Sequence, residues 1–124
     1  MKLSTLLFTL SVSSAALLSS HTVNANEQLA ASICDYVGAD DKSRIRKKLK
    51  ESRVKLRNIY AGISCGGNNL IRHAIVSGAD GVGEYIVKQL PKSDLAAGGD
   101  VAWADANGHS GSAVIAALKD RAGL

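Results

Sequence analysis

"KSRIRKKLKESRVKLRNI", residues 42–59, decides how the rest of the chain is read. Ile45, Leu49, Ser52, Leu56 and Ile59 recur at three- and four-residue intervals, which at 100° per residue gathers them into one narrow stripe. That period predicts an amphipathic helix of about five turns. Arg46, Lys50, Arg53 and Arg57 fall along one flank of the stripe, and Arg44, Lys48 and Lys55 along the other. Residues 42–57 carry nine Lys and Arg side chains and one acid, Glu51. A solvated helix face ordinarily mixes signs in i, i+4 pairs. The excess therefore reads as a surface for anions, with a merely solvated face on a core-packed helix as the plainer alternative.

Helical signals continue on both sides. Leu29, Ile33 and Val37 repeat at i, i+4, i+8 and Gly38 follows as a C-cap, so a first helix is expected there. Asp40 and Asp41 then supply N-cap chemistry for the basic helix. Gly66-Gly67 makes a turn, Asn68 or Asn69 can cap a helix bearing Leu70, Ile71, Ala74 and Ile75, and Gly78 ends it. A fourth helix, opened by Asp80, points Val82, Ile86 and Leu90 inward and stops at Pro91. Residues 91–112 read as a Gly-rich irregular segment, with a helical turn near residues 92–96 and a short extended piece at Val101 and Trp103. Trp103 is expected to plug the core. A last helix carries Ala113, Val114, Ala117 and Leu118, with Lys119 and Arg121 near its C-terminal end. The expectation is a mainly α single domain of four to five short helices.

The N-terminal stretch reads differently. Lys2 precedes an apolar run from Leu6 to Leu18, and Val23-Asn24-Ala25 offers a signal-peptidase boundary. Thirteen residues of helix span roughly 20 Å, short of the roughly 30 Å hydrocarbon core. Residues 1–25 are thus expected to be a signal peptide and residues 26–124 a small domain, exported to the periplasm or secreted and not transmembrane after cleavage. Both cysteines, Cys34 and Cys65, lie in that domain. An even count in an oxidising compartment predicts one disulfide, against the alternative of two buried thiols.

Other motifs fail on spacing. His73 and His109 stand at no zinc-motif distance from the cysteines, so no metal is expected. "GHSGS", residues 108–112, matches four of the five positions of a nucleophile elbow, but no His follows it in the chain. "GVG" at residues 81–83 lacks the third glycine of a nucleotide cradle. His73 reads as a surface imidazole without an accompanying carboxylate or nucleophile. No catalytic set and no cofactor are expected.

The stretch from Asp40 through "GISCGGNNLIRHAI", together with "YIVKQLP", resembles a family of small exported proteins of marine Gram-negative bacteria classed as a domain of unknown function, most clearly over residues 34–91. The resemblance implies export and paired cysteines, and it carries over no assigned activity or catalytic residues. "NLIRHAIVSGADGVGEYIVKQL" is also similar, locally, to the helix pair of an ankyrin repeat, without its Thr-Pro-Leu-His and with a 44-residue spacing from Leu70 to Val114.

Two functional expectations result. In the first, a non-catalytic module contacts anionic lipid, lipopolysaccharide or acidic polymer of the envelope through Arg46, Lys50, Arg53 and Arg57. In the second, it is a protein-binding or structural helper for another envelope protein, and its basic helix is only solvated. Nucleic acid is not an expected partner of an exported chain.

Overall fold

The computed structural model describes residues 25–124; the expected signal peptide lies, apart from Ala25, outside the described residues. Eight α-helical segments and one 3-10 turn follow one another: α1 (Ala25–Gly38), α2 (Lys42–Ser52), α3 (Leu56–Ile59), the 3-10 turn Tyr60–Gly62, α4 (Leu70–Val76), α5 (Asp80–Gln89), α6 (Lys92–Ala97), α7 (Asp100–Ala106) and α8 (Ala113–Ala122). The domain is mainly helical and tied by one disulfide, as expected. Helix α5 occupies the middle, packing against α2, α3, α4 and α8, while α1 packs on α2 and α4. Ile33, Ile45, Leu70, Ile71, Ile86, Ile115 and Leu118 are fully buried between these helices. Side chains spaced at three and four residues on each helix thus meet in one core.

The expected five-turn basic helix is two helices. Ser52 lies exposed at the end of α2 instead of in the seam. Arg53 then adopts the left-handed conformation, φ 55°, and its N–H bonds back to Leu49 O and Lys50 O. The Val54 N–H reaches Leu49 O at 3.2 Å, closing a Schellman turn in which arginine stands where glycine is usual. Lys55 is extended and α3 begins at Leu56. Leu49 and Leu56 are buried on either side of this break. The break keeps the apolar contacts of the stripe but changes the direction of the charges beyond Arg53.

The second difference is the Gly-rich region. The stretch expected to be extended at Val101 and Trp103 is helix α7, and Trp103 is half-buried rather than a core plug. Asp100 starts this helix and is 3% exposed. Its Oδ1 accepts from Asn69 Nδ2 at 2.9 Å and from Arg72 Nε at 2.8 Å. Asn69 also caps α4, accepting from the Arg72 N–H at 2.8 Å. A buried carboxylate needs such partners, and here they fasten the start of α7 to the start of α4. The Arg72 guanidinium lies over the Trp103 ring, 5.4 Å from its centroid, and Trp103 stacks on His109 at 5.5 Å.

Caps place the remaining helix starts. Asp41 accepts from the Arg44 N–H and Ser112 from the Val114 N–H, each satisfying an otherwise orphan donor. At α5 the N-cap is Ala79, and the expected capping Asp80 lies inside the first turn. The cap comes instead from Asp40 in the turn after α1, whose Oδ1 accepts from the Val82 N–H at 2.8 Å.

Where α5 crosses α8, Gly83 is buried against Val114. A Cβ at residue 83 would collide with Val114 Cγ2 and stand 3.0 Å from Cγ1. Alanine gains about 1 kcal/mol of helix propensity over glycine, but overpacking costs about 1–3 kcal/mol. Gly83→Ala is therefore expected to lower stability in urea unfolding, and adding Val114→Ala should recover part of the loss. A Gly83→Ala protein more stable than the parent would contradict this packing.

Candidate functional site: a cationic surface and cleft

Cys34 and Cys65 form the expected disulfide, with their Cα atoms 5.6 Å apart and no free cysteine among the described residues. The bond joins α1 to the segment after the 3-10 turn, where Cys65 pairs with Asn68 in an isolated bridge. His73 is half-buried, not a free surface imidazole: its Nε2 lies 3.0 Å from Cys34 O and donates to it in the matching tautomer. Both features belong to the scaffold. Among the described residues no three His, Cys, Asp or Glu side chains gather in a way that could hold a metal ion. No helix there is long and apolar enough to cross a membrane.

The cations of residues 42–57 are outward: all are exposed except Lys48, which is half-buried. Their carboxylate contacts are Arg44 with Asp41 at 3.3 Å and Lys47 with Glu51 at 3.9 Å. These are exposed pairs, worth little in water. Arg46, Lys50, Arg53 and Arg57 have no carboxylate partner among the described residues. The structure does not keep these four on one helical flank. Arg46 and Lys50 ride on α2, Arg53 turns at the break and Arg57 belongs to α3.

The break also builds a cleft of about 560 Å³ between the α2–α3 connection, the C-terminal end of α5 and α8. Lys55, Arg57, Lys88 and Arg121 line it, and no carboxylate does. On one continuous helix, residues 55 and 57 would point about 200° apart; with Lys55 extended, both line the same cleft. Arg121 is held in place, its Nε and one terminal nitrogen donating to Leu90 O at 3.1 and 2.9 Å. Tyr85 adds a hydroxyl whose pKa is raised above the ordinary tyrosine value by burial, with Arg46 opposing. Like any tyrosine hydroxyl it can donate at neutral pH. Leu49, Leu56 and Leu90 form apolar wall.

Sequence reasoning found Arg57 and missed Lys55, Lys88, Tyr85 and Arg121 as its neighbours. They come from three separated segments, and a helical wheel drawn on one segment holds no information about the others. Among the described residues, the large hydrophobics left exposed are Val76 and Leu124. The surface is therefore marked by charge more than by an apolar patch.

A family model described as "Protein of unknown function (DUF3718)" matches residues 33–97, just over half of the chain. No curated protein and no solved structure matches it.

Proposed function

The chain belongs to the DUF3718 family, whose function is unknown, and from that premise we propose that it is a non-catalytic exported module that contacts anionic envelope material through its basic surface. The observation that carries this reading is the run of outward cations at Arg46, Lys50, Arg53 and Arg57 without carboxylate partners. The signal-peptide pattern of residues 1–25 and the disulfide support an exported setting, since such bonds persist in oxidising compartments. In that setting the available anions are phospholipid headgroups, lipopolysaccharide phosphates and acidic polymers.

The contact is electrostatic and shallow. Ile45, Leu49 and Leu56 are committed to the core, so α2 has no apolar face to insert into a bilayer. Each Lys or Arg near an anionic membrane surface is worth about 1 kcal/mol. Four such residues give about 4 kcal/mol, a millimolar affinity that becomes useful on surfaces presenting many sites.

Cosedimentation with phosphatidylglycerol vesicles tests it. Binding is expected at low salt and should fall steeply as the Debye length shrinks from about 10 Å at 0.1 M to about 3 Å at 1 M. Arg46→Gln/Lys50→Gln/Arg53→Gln should weaken it at least tenfold, on about 1 kcal/mol per cation. Equal binding by parent and triple variant, or no binding by the parent at low salt, would reduce these residues to a solvated face.

A further inference from the structure

We infer that the cleft between the α2–α3 connection, α5 and α8 is a discrete site for a phosphate monoester carried on a compact sugar-sized or headgroup-sized body. This inference rests on the anion-contact reading and narrows it to one ligand chemistry.

Charge is the first argument. Lys55, Arg57, Lys88 and Arg121 approach one cavity with no acid among its lining residues. A concave wall of one sign focuses potential more than the same charges spread over a convex surface. Four cations are better matched by a dianion than by a single carboxylate. A phosphate monoester supplies about −1.5 to −2 charge at neutral pH and three acceptor oxygens, which donors on different walls can meet from different directions. Arg57 can fork onto two of those oxygens, and the lysines supply rotatable point charges.

Pre-organisation is the second. Arg121 is anchored through two donors to Leu90 O, so part of its five-donor fork remains free. It loses little conformational freedom when a ligand arrives. Tyr85 lines the same cavity, and its hydroxyl can donate to a phosphate oxygen.

Size is the third. A volume of about 560 Å³ falls inside the roughly 300–1,000 Å³ of small-molecule sites. A bare phosphate would leave most of that space to water. Val54 and the Tyr85 ring, half-buried, and the exposed Pro91 offer accessible apolar lining on which a sugar ring or the glycerol end of a headgroup can rest.

The test uses two carriers of the same ester. Purified protein is titrated calorimetrically with glucose 1-phosphate, with glucuronate as the sugar carboxylate control. In parallel it is sedimented with vesicles containing phosphatidate or, at equal surface charge, phosphatidylglycerol, a phosphodiester. Saturable one-to-one binding of glucose 1-phosphate, at least tenfold tighter than glucuronate, identifies a soluble sugar phosphate as sufficient. A preference of at least fivefold for phosphatidate identifies the headgroup. In either arm Lys55→Gln/Lys88→Gln should abolish the preference, whereas Arg44→Gln/Lys47→Gln on the far side of α2 should leave it intact. Both pairs are exposed, so their folding is unaffected, and far-ultraviolet circular dichroism checks this. The inference is overturned if neither carrier is preferred, or if the cleft variant keeps the preference. Phosphatidylglycerol binding that is lost in Arg46→Gln/Lys50→Gln/Arg53→Gln, alongside either of those results, would leave the broader anion-contact reading standing while removing this site.

Discussion

Replacing Cys34 and Cys65 together by alanine is expected to lower the stability of the domain by about 3–4 kcal/mol, the chain-entropy value for a cross-link closing a loop of this size. The two cysteines are 31 residues apart and the loop between them holds α2, α3 and the 3-10 turn. Between Tyr60 and Asn69 the buried hydrophobic side chains are Ile63 and Cys65, so little besides the disulfide fixes this segment to α1. Urea unfolding measures the effect. The midpoint should fall and the m-value should rise, because an unfolded chain without the cross-link exposes more surface. Reduced midpoint with unchanged m would point to lost native packing rather than to a released unfolded chain.

Asp100→Ala has the second largest expected effect, a loss of about 2–4 kcal/mol. Removing one partner of a fully buried ion pair costs about 3–5 kcal/mol. Here the range is lower because the Arg72 side chain is 27% exposed and water takes up part of its lost contact. Asn69 Nδ2 also loses its acceptor. The buried Tyr60 hydroxyl is tied to the same carboxylate electrostatically: burial first, then Asp100, push its pKa well upward, while the Ile71 amide and Arg72 pull the other way. No hydrogen bond of good geometry satisfies that hydroxyl among the described residues. Asp100→Asn keeps an acceptor for Asn69 and Arg72 and should cost less than Asp100→Ala. Trp103 is the single tryptophan and lies beneath Arg72, so its fluorescence should change in the native state of both variants. A loss below about 1 kcal/mol for Asp100→Ala, the level of one ordinary hydrogen bond, would mean that other contacts hold α7.

These two sites differ in how openly the sequence announces them. The cysteine pair, the stripe Leu29, Ile33, Val37, the cap Asp41 and the choice of Asn68 or Asn69 as a cap are local or countable signals; the structure pairs the cysteines, buries the stripe, and caps with Asp41 and Asn69. The break at Arg53 is silent because Leu56 and Ile59 continue the helical period across it. Two helices meeting at a turn satisfy the same spacing as one, and an arginine in a left-handed conformation carries no compositional mark. Helix α7 hides between Gly98-Gly99 and Asn107-Gly108, residues that punctuate loops. What holds it is Asp100 gripping α4, 28 and 31 residues upstream. The Asp40 cap on Val82 spans 42 residues. The cleft depends on the break at Arg53 and on Arg121 reaching Leu90. Periodicity is a one-segment property, and these contacts belong to pairs of segments.

The meeting of Gly83 and Val114 bears on where the folding unit ends. Residue 83 lies inside the stretch matched by the family model and residue 114 lies beyond its limit at 97. Yet a bare α-carbon at 83 has a packing reason only because a branched side chain at 114 occupies the space above it. The two positions form one packing contact, so a larger residue at 83 calls for a smaller one at 114. Helix α8, which also clamps Leu90 through Arg121, therefore belongs to the same packed core as the matched region. A fragment cut at residue 97 would leave Gly83 and Leu90 without the helix that covers them.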